Sequence, residues 1–187
     1  MLVLASSSPR RRELLAELGV EFEVEAAEID ESAMVGEHPI TYTQRLAHHK
    51  ALAVFKRREA SADLIVLGAD TIVVLDEHLL GKPANVADAA RMLRLLSGRT
   101  HQVMTGIALM VPGNTVTAVE TTNVTFRILS EAEIAEYIAT GEPMDKAGAY
   151  AIQGLGGAFV EKVDGDYSNV VGLPLGLLGK KLMGLRG

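Results

Sequence analysis

The sequence contains no cysteine and no tryptophan, and aromatic residues make up only 4% of its 187 residues. Without cysteine, disulfide bonds, thiolate metal sites and thiol catalysis are all excluded. The scarcity of aromatic rings argues against a stacking platform for single-stranded nucleic acid. These absences remove thiol enzymes and aromatic single-strand binders from the candidate classes of function.

Long apolar runs and an excess of positive charge are also absent. No apolar run approaches the ~18 residues of a membrane span, and the longest, at residues 64–75, is interrupted by Asp70. The N-terminus becomes basic only at Arg10, after its apolar stretch, which reverses the order of a signal peptide. The net charge of −6 lacks the broad basic footprint of a duplex-binding protein. We therefore expect a cytoplasmic protein with neither a membrane nor a stable nucleic-acid partner.

Strand and helix patterns mix along the whole chain, without a repeat or a linker. The predicted strands cover residues 2–5, 22–24, 64–75, 103–111, 116–128, 159–162 and 168–171. The predicted helices cover residues 9–19, 41 to about 58, 86–96, 130–140 and 174–183. This mixture predicts an α/β fold on a mixed sheet, in a single domain over residues 1–187.

Three consecutive arginines stand at the start of the first predicted helix. Ser8 suits the N-cap and Pro9 the first helical position, so Arg10, Arg11 and Arg12 fall in the first turn. The helix dipole makes that position unfavourable for cations unless an anion binds there. Free amides at the helix start are natural phosphate donors. We favour a phosphate site, with a solvated basic turn as the alternative.

Asp70 interrupts the longest apolar strand, where an unpaired carboxylate would cost on the order of several kcal/mol. It must therefore lie at the strand end, pair with a cation or bind a metal. A structural ion pair is the alternative to a catalytic role. Lys50 and Lys82 are uninformative alone, but with the arginines they provide charge to neutralise a polyphosphate. The histidines lack metal-site spacing, and we expect them at the surface.

The sequence lacks the usual nucleotide-binding motifs. The Gly-Lys pair at residues 81–82 is followed by proline and lacks the upstream glycine of a P-loop. The glycines at residues 154–157 do not have the spacing of a dinucleotide fingerprint. A Gly-x-Ser-x-Gly elbow is also missing from the sequence. The sequence therefore indicates phosphate handling by a protein that is not a P-loop kinase, a dehydrogenase or an α/β-hydrolase.

A set of short segments nevertheless follows a recognisable order. They are LASSSPRRRELL (4–15), GADT (68–71), GKP (81–83), SGRTH (97–101), TG (105–106), GEPMDKAGAY (141–150), IQG (152–154), GDY (165–167) and GLP (172–174). In this order, over nearly the whole chain, they resemble the Maf family of nucleoside triphosphate pyrophosphatases.

The resemblance implies a two-lobed α/β fold similar to the inosine triphosphate pyrophosphatases, with the active site in the cleft between lobes. It implies metal-dependent hydrolysis of a nucleoside triphosphate to the monophosphate and pyrophosphate, with Mg²⁺ or Mn²⁺, and it allows a homodimer. Asp70 matches the family's proton acceptor. Other site-lining positions are matched by Ser6, Arg11, Glu31, Lys50, Lys82 and Gln153.

We assign roles to these positions by hypothesis. Asp70 and Glu31 position the metal and the water, since cleavage needs an activated water and a polarised phosphoryl oxygen. The phosphate-binding residues are Ser6, Arg11, Lys50 and Lys82.

Three positions separate the substrate branches of the family, and here they hold Arg10, Thr71 and Gln153. The 7-methyl-GTP branch has Trp, Gln and Glu at these positions, so the pattern resembles the dTTP/UTP branch. The implied role is removal of unwanted pyrimidine triphosphates, including modified ones, with a possible link to cell-division arrest. The alternatives are a non-catalytic nucleotide-binding regulator of septum formation, a nucleic-acid binder built on Arg10–Arg12, and a pyrophosphatase for 7-methyl-GTP or inosine triphosphate.

Overall fold

A computed structural model describes residues 1–59 and 61–186 of the chain, which form two compact units. Within these residues, the first unit comprises Met1–Thr71, Thr105–Glu120 and the segment that begins at Gly172. The second unit comprises Ile72–Met104 and Thr121–Val171. None of the helices within residues 1–59 and 61–186 has the length and the apolar character that a membrane span requires.

The helices and strands follow the predicted order closely. Their bounds are β1 (Leu2–Ala5), α1 (Pro9–Glu17), β2 (Phe22–Val24), α2 (Pro39–Phe55), β3 (Ile65–Leu75), β4 (His78–Leu80), α3 (Val86–Leu96), β5 (Thr100–Val111), β6 (Asn114–Phe126), α4 (Glu131–Ala139), β7 (Val160–Asp164), α5 (Tyr167–Val171) and α6 (Leu175–Arg186). Three short 3₁₀ helices, at Glu142–Asp145, Ala147–Ala149 and Leu155–Phe159, lie between α4 and β7.

The strands form one mixed sheet in the order β2-β1-β3-β5-β6-β7, and β4 pairs with β3. Strand β1 is parallel to both β2 and β3, whereas the β3–β4 and β6–β7 pairs are antiparallel. This confirms the predicted α/β fold on a mixed sheet. The cleft between lobes and the single-domain organisation stay predictions.

In the first unit, helix α2 lies directly against the sheet because two glycines remove the side chains between them. A Cβ atom added at Gly106 would lie 2.5 Å from the carbonyl oxygen of Thr43, and one added at Gly68 would collide with the backbone of Ala47. Small buried residues of α2, among them Ala47 and Ala51, join the apolar cluster formed by the strands. This close approach brings the buried face of α2 over β3 and β5.

The second unit has its own core, in which α3 and α4 pack with strand residues. Phe126 and Phe159 are the centre of an edge-to-face aromatic group that includes Tyr137 and Tyr150. Helix α4 begins with a capping box, in which Ser130 and Glu133 satisfy each other's backbone amides.

The strand predicted at residues 168–171 is wrong, because this segment forms helix α5. Asp166 Oδ1 accepts hydrogen bonds from the amides of Ser168 (2.7 Å) and Asn169 (3.3 Å), and these bonds stabilise the start of a helical turn. The buried side chain of Asn169 then donates to the Val103 carbonyl. Local capping therefore overrides the strand preference of the valines that follow.

The expectation of surface histidines is also wrong at His101, which is only 2% exposed. Its Nε2 atom lies 2.9 Å from the Tyr150 hydroxyl, and the ring packs edge-to-face against Phe126. Among the described residues, its Nδ1 atom has no hydrogen-bond partner. Burial lowers the pKa of His101 to about 4, so the imidazole is neutral in the folded protein.

Candidate active site

Asp70 lies within β3 rather than at its end, and its carboxylate is paired with a lysine. The Asp70 Oδ1 atom is 2.6 Å from the Lys50 Nζ atom, and both residues are buried. Lys50 belongs to α2, which the glycine at position 68 allows to lie against β3. The sequence-based requirement that a buried Asp70 find a cation is therefore met by Lys50.

The Lys50 ammonium also binds a second carboxylate, that of Glu31, at 2.8 Å. The two acids differ in exposure, since the Asp70 side chain is 10% exposed and that of Glu31 is 46% exposed. Glu31 lies in the irregular segment between β2 and α2. The ammonium thus joins a buried carboxylate of the sheet to a half-exposed carboxylate of a loop.

The surroundings of Asp70 raise the pKa of its carboxyl group above the ordinary value of 3.8. Burial is the largest cause, because it disfavours the charged form. The positive charges of Lys50 and Arg11 oppose this rise, and the negative charge of Glu31 adds to it. The result is a carboxylate that is a stronger base than an exposed aspartate.

Arg11 is fixed beside this pair by two hydrogen bonds. Its Nε atom donates to the Gly172 carbonyl at 2.8 Å, and one terminal nitrogen donates to the Thr71 hydroxyl at 3.0 Å. The Thr71 hydroxyl is in turn 2.9 Å from that of Thr105, which is fully buried. Burial is the main cause of a lowered Arg11 pKa, although the charge of Asp70 opposes it.

The serine loop before α1 is ordered by its own hydroxyls. The Arg11 amide donates to Ser8 Oγ at 3.4 Å, as expected of an N-cap, and the Ser8 amide donates to Ser6 Oγ at 3.2 Å. Ser6 is buried, whereas Arg10 is partly exposed in the first turn of the helix. The positive charge of Arg10 helps to lower the Arg11 pKa, so the two guanidinium groups interact.

The structure brings five of the predicted residues into one connected group in the first unit: Arg11, Glu31, Lys50, Asp70 and Thr71. Lys82 and Gln153 belong to the second unit, where both are exposed. Lys82 lies in the loop between β4 and α3, and Gln153 lies just before the 3₁₀ helix Leu155–Phe159. Their roles stay predictions.

The oxygen atoms of Asp70 and Glu31 fit a divalent cation chemically. Their two carboxylates already share one cation, the Lys50 ammonium. Within the part of the chain that the structure describes, no group of three His, Asp or Glu residues is arranged to hold a metal. Mg²⁺ often binds through one or two carboxylates, with water and substrate phosphates completing its shell. Such a partial ligand set therefore suits an ion that arrives with a triphosphate.

Thr105 and Gly172 were not identified as functional from the sequence. Thr105 had a usable signal, since it is a polar residue inside an apolar strand, as Asp70 is. Gly172 is fixed by its backbone, which has a φ of +130° that side chains rarely adopt. Its carbonyl reaches Arg11 across 161 positions of the chain, a distance that no local pattern reveals.

Comparison with known proteins shows the family of this chain. The Maf-like protein family model matches residues 1–185. A dTTP/UTP pyrophosphatase of Yersinia pestis is 56% identical over 93% of this chain and 87% of its own length. One of Bacillus thuringiensis is 50% identical over 97% of this chain and 93% of its own length.

A solved structure, that of the Staphylococcus aureus Ham1 protein, has the same fold. It superposes with a TM-score of 0.57 over 98% of both chains, at 15% sequence identity. The fold is thus that of an α/β protein of the kind that Ham1 represents. Within that class, the chain belongs to the Maf family.

Proposed function

We propose that this chain hydrolyses nucleoside triphosphates, preferably dTTP and UTP, to the monophosphate and pyrophosphate. Its membership of the Maf family and its relatives named dTTP/UTP pyrophosphatase support this activity. The observation that carries the proposal is the buried carboxylate of Asp70 beside Lys50 and Arg11. A protein that only binds a polyanion gains little from a buried acid. We place the activity in the cytoplasm, on pools that include modified pyrimidine triphosphates.

Asp70 accepts the proton of the attacking water in this proposal. Its raised pKa favours proton transfer, because a base works best when its pKa approaches the working pH. Lys50 holds the carboxylate in place through the 2.6 Å contact. A bound Mg²⁺ or Mn²⁺ would polarise the phosphoryl oxygen, and Asp70 and Glu31 would be the residues that hold it.

The triphosphate is held by Ser6, Arg11, Lys50 and Lys82. Arg11 is suited to this because a guanidinium has five N–H donors, of which Gly172 and Thr71 each take one. Specificity is assigned to Arg10, Thr71 and Gln153. Because the Thr71 hydroxyl lies between Arg11 and Thr105, we infer that it acts by fixing Arg11.

The test is pyrophosphate release from dTTP, UTP, CTP, GTP, ITP and 7-methyl-GTP, with and without Mg²⁺ or Mn²⁺. We expect metal-dependent turnover led by dTTP and UTP, and its loss in Asp70→Asn. The matched control is Asp76→Asn, at an exposed turn aspartate paired with Arg99. Asn tolerates the positive φ of position 76, so this control should keep wild-type turnover.

The outcomes separate the alternatives. Turnover led by 7-methyl-GTP would keep the reaction but reject the roles of Arg10, Thr71 and Gln153. Nucleotide binding without pyrophosphate release would favour the regulator of septum formation. Full turnover in Asp70→Asn would reject Asp70 as the proton acceptor. The homodimer stays a prediction.

A further inference from the structure

The loop that carries Glu31 has no regular structure, yet its backbone is bound closely to helix α2. Two consecutive carbonyl groups of this loop accept hydrogen bonds from α2 side chains. The Tyr42 hydroxyl donates to the Glu31 carbonyl at 2.8 Å, and an Arg45 terminal nitrogen donates to the Ser32 carbonyl at 3.0 Å. The backbone on the C-terminal side of the Glu31 side chain is therefore fixed from the same helix that supplies Lys50.

Arg45 reaches the loop a second time through a forked ion pair with Glu37. The Arg45 Nε and terminal nitrogen atoms lie 2.6 and 2.7 Å from the two Glu37 carboxylate oxygens. Glu37 also accepts a hydrogen bond from the Met34 amide at 3.1 Å. The Arg45 side chain is 15% exposed and that of Glu37 is 5% exposed. This burial distinguishes the pair from a mobile ion pair on the surface.

Tyr42 and Arg45 also support each other. The Arg45 guanidinium lies over the Tyr42 ring, 5.6 Å from its centroid. Because Arg45 packs on the ring whose hydroxyl donates to the Glu31 carbonyl, the two side chains hold the loop together.

We propose that Tyr42 and Arg45 are positioning residues, which place the Glu31 carboxylate at Lys50 and Asp70 by fixing the Glu31 and Ser32 carbonyls. Glu31 needs this support because its own side chain is half exposed. This inference rests on the proposed function, in which Glu31 helps to hold the metal. Removal of residues that orient a ligand commonly lowers activity about 10–100-fold.

The test is a double-mutant cycle on pyrophosphate release with Tyr42→Phe, Arg45→Met and Glu31→Gln. We expect Tyr42→Phe and Arg45→Met each to lower kcat/KM by about tenfold or more in the wild-type chain. In the Glu31→Gln background the same changes should alter kcat/KM by less than about twofold, because residues that act through one group are not additive. Arg45→Lys, which keeps the charge but not the fork, should recover only part of the loss.

A second readout does not depend on activity. Hydrogen exchange at the amides of residues 31–37 should be about tenfold faster in Arg45→Met, because the loop loses its anchors. The matched control is Arg94→Met, which removes a similar forked pair with Glu131 on the surface of the second unit. Arg94→Met should change neither the turnover nor the exchange of this loop.

The inference is overturned if Tyr42→Phe and Arg45→Met cost the same factor with and without Glu31, or if the loop exchange does not change. Tyr42→Phe removes a single hydroxyl, so it keeps the test valid should Arg45→Met fail to fold. The failure of the proposed function would look different. No pyrophosphate would then be released by the wild-type chain, while the exchange comparison of Arg45→Met with Arg94→Met would still test the positioning of the loop.

Discussion

At the scale of single residues, the candidate site is built from polar groups that are buried in an apolar sheet. Asp70 and Thr105 lie on neighbouring strands and have partners that satisfy them, Lys50 for the acid and Thr71 for the hydroxyl. Burial raises the pKa of a carboxyl group, because a desolvated carboxyl holds its proton more strongly. The raised pKa of Asp70 and the lowered pKa of His101 therefore make turnover and stability depend on pH.

The raised pKa of Asp70 predicts the acid limb of the pH–rate profile. In the proposed mechanism Asp70 must be ionised to accept a proton, so kcat/KM should fall on the acid side at a pH above the ordinary carboxyl value of 3.8. Because the charge of Glu31 raises this pKa, Glu31→Gln should move the limb to lower pH. The measurement is kcat/KM against pH, with circular dichroism to confirm folding. A wild-type profile that stays flat down to pH 4 would contradict the prediction.

The lowered pKa of His101 predicts a pH-dependent loss of stability. The folded protein binds this proton only near pH 4, whereas the unfolded chain binds it near 6.5. The contribution of neutral His101 is therefore complete above 6.5 and is lost as the pH falls towards 4, at about 1.4 kcal/mol per pH unit.

His101→Gln tests this, because glutamine does not titrate and still offers a hydrogen bond to the Tyr150 hydroxyl. Urea unfolding at pH 7 and pH 5 should show that wild type loses more unfolding free energy than the variant does. An equal loss in both proteins would mean that His101 does not titrate in this window.

At the scale of elements, helix α2 carries much of the site. Lys50, Tyr42 and Arg45 all project from it, and two glycines of the sheet set how closely it approaches. The position of the helix, rather than any single bond, therefore determines where the Lys50 ammonium lies.

Gly106→Ala should damage this arrangement. The new Cβ atom would lie 2.5 Å from the Thr43 carbonyl oxygen, so α2 must shift and packing is lost. We expect a loss of about 1–3 kcal/mol in unfolding free energy together with lower turnover. Gly179→Ala, in α6 with open space around its Cβ, should instead gain about 0.5–1 kcal/mol. The measurement is the unfolding free energy of both variants in urea. Equal values for the two variants would contradict the prediction.

Elements with local signals were predictable from the sequence, and elements fixed by distant contacts were not. Helix α3 was predicted with its observed bounds at 86–96, since its cap and its periodicity are local. Strand β4 was missed because it has only three residues and follows a turn at Asp76 and Glu77 with positive φ.

The same division holds in the site. The sequence predicts that Asp70 needs a cation, and the resemblance names Lys50 among the site residues. Neither the sequence nor the resemblance shows that the Lys50 ammonium contacts both Asp70 and Glu31. Neither shows that Arg45 binds the loop that carries Glu31. These contacts depend on how α2 lies on the sheet, which is set by tertiary packing.

At the scale of the whole molecule, positive charge is local while the net charge is −6. The arginines of the first helical turn lie in a chain whose remaining surface carries excess acid. This distribution favours a small polyanion over a long one, because a duplex needs many phosphate contacts at once.

We therefore predict negligible affinity for duplex DNA at ~0.15 M salt, measured by fluorescence anisotropy of a labelled duplex. Any binding at low salt should disappear steeply as salt is added. An affinity in the nanomolar range at ~0.15 M salt would instead support a nucleic-acid binder built on Arg10–Arg12.

Lys50 determines whether the folded structure needs a bound divalent metal. Because the Lys50 ammonium contacts both Asp70 and Glu31, and Arg11 adds a second positive charge near Asp70, the two acids do not need a divalent ion to offset their repulsion. If turnover needs a metal, as proposed, chelators should stop turnover without unfolding the protein, and restored metal should return the activity at once. The supply of metal in a cell would then control the activity of this protein and not the amount of folded protein.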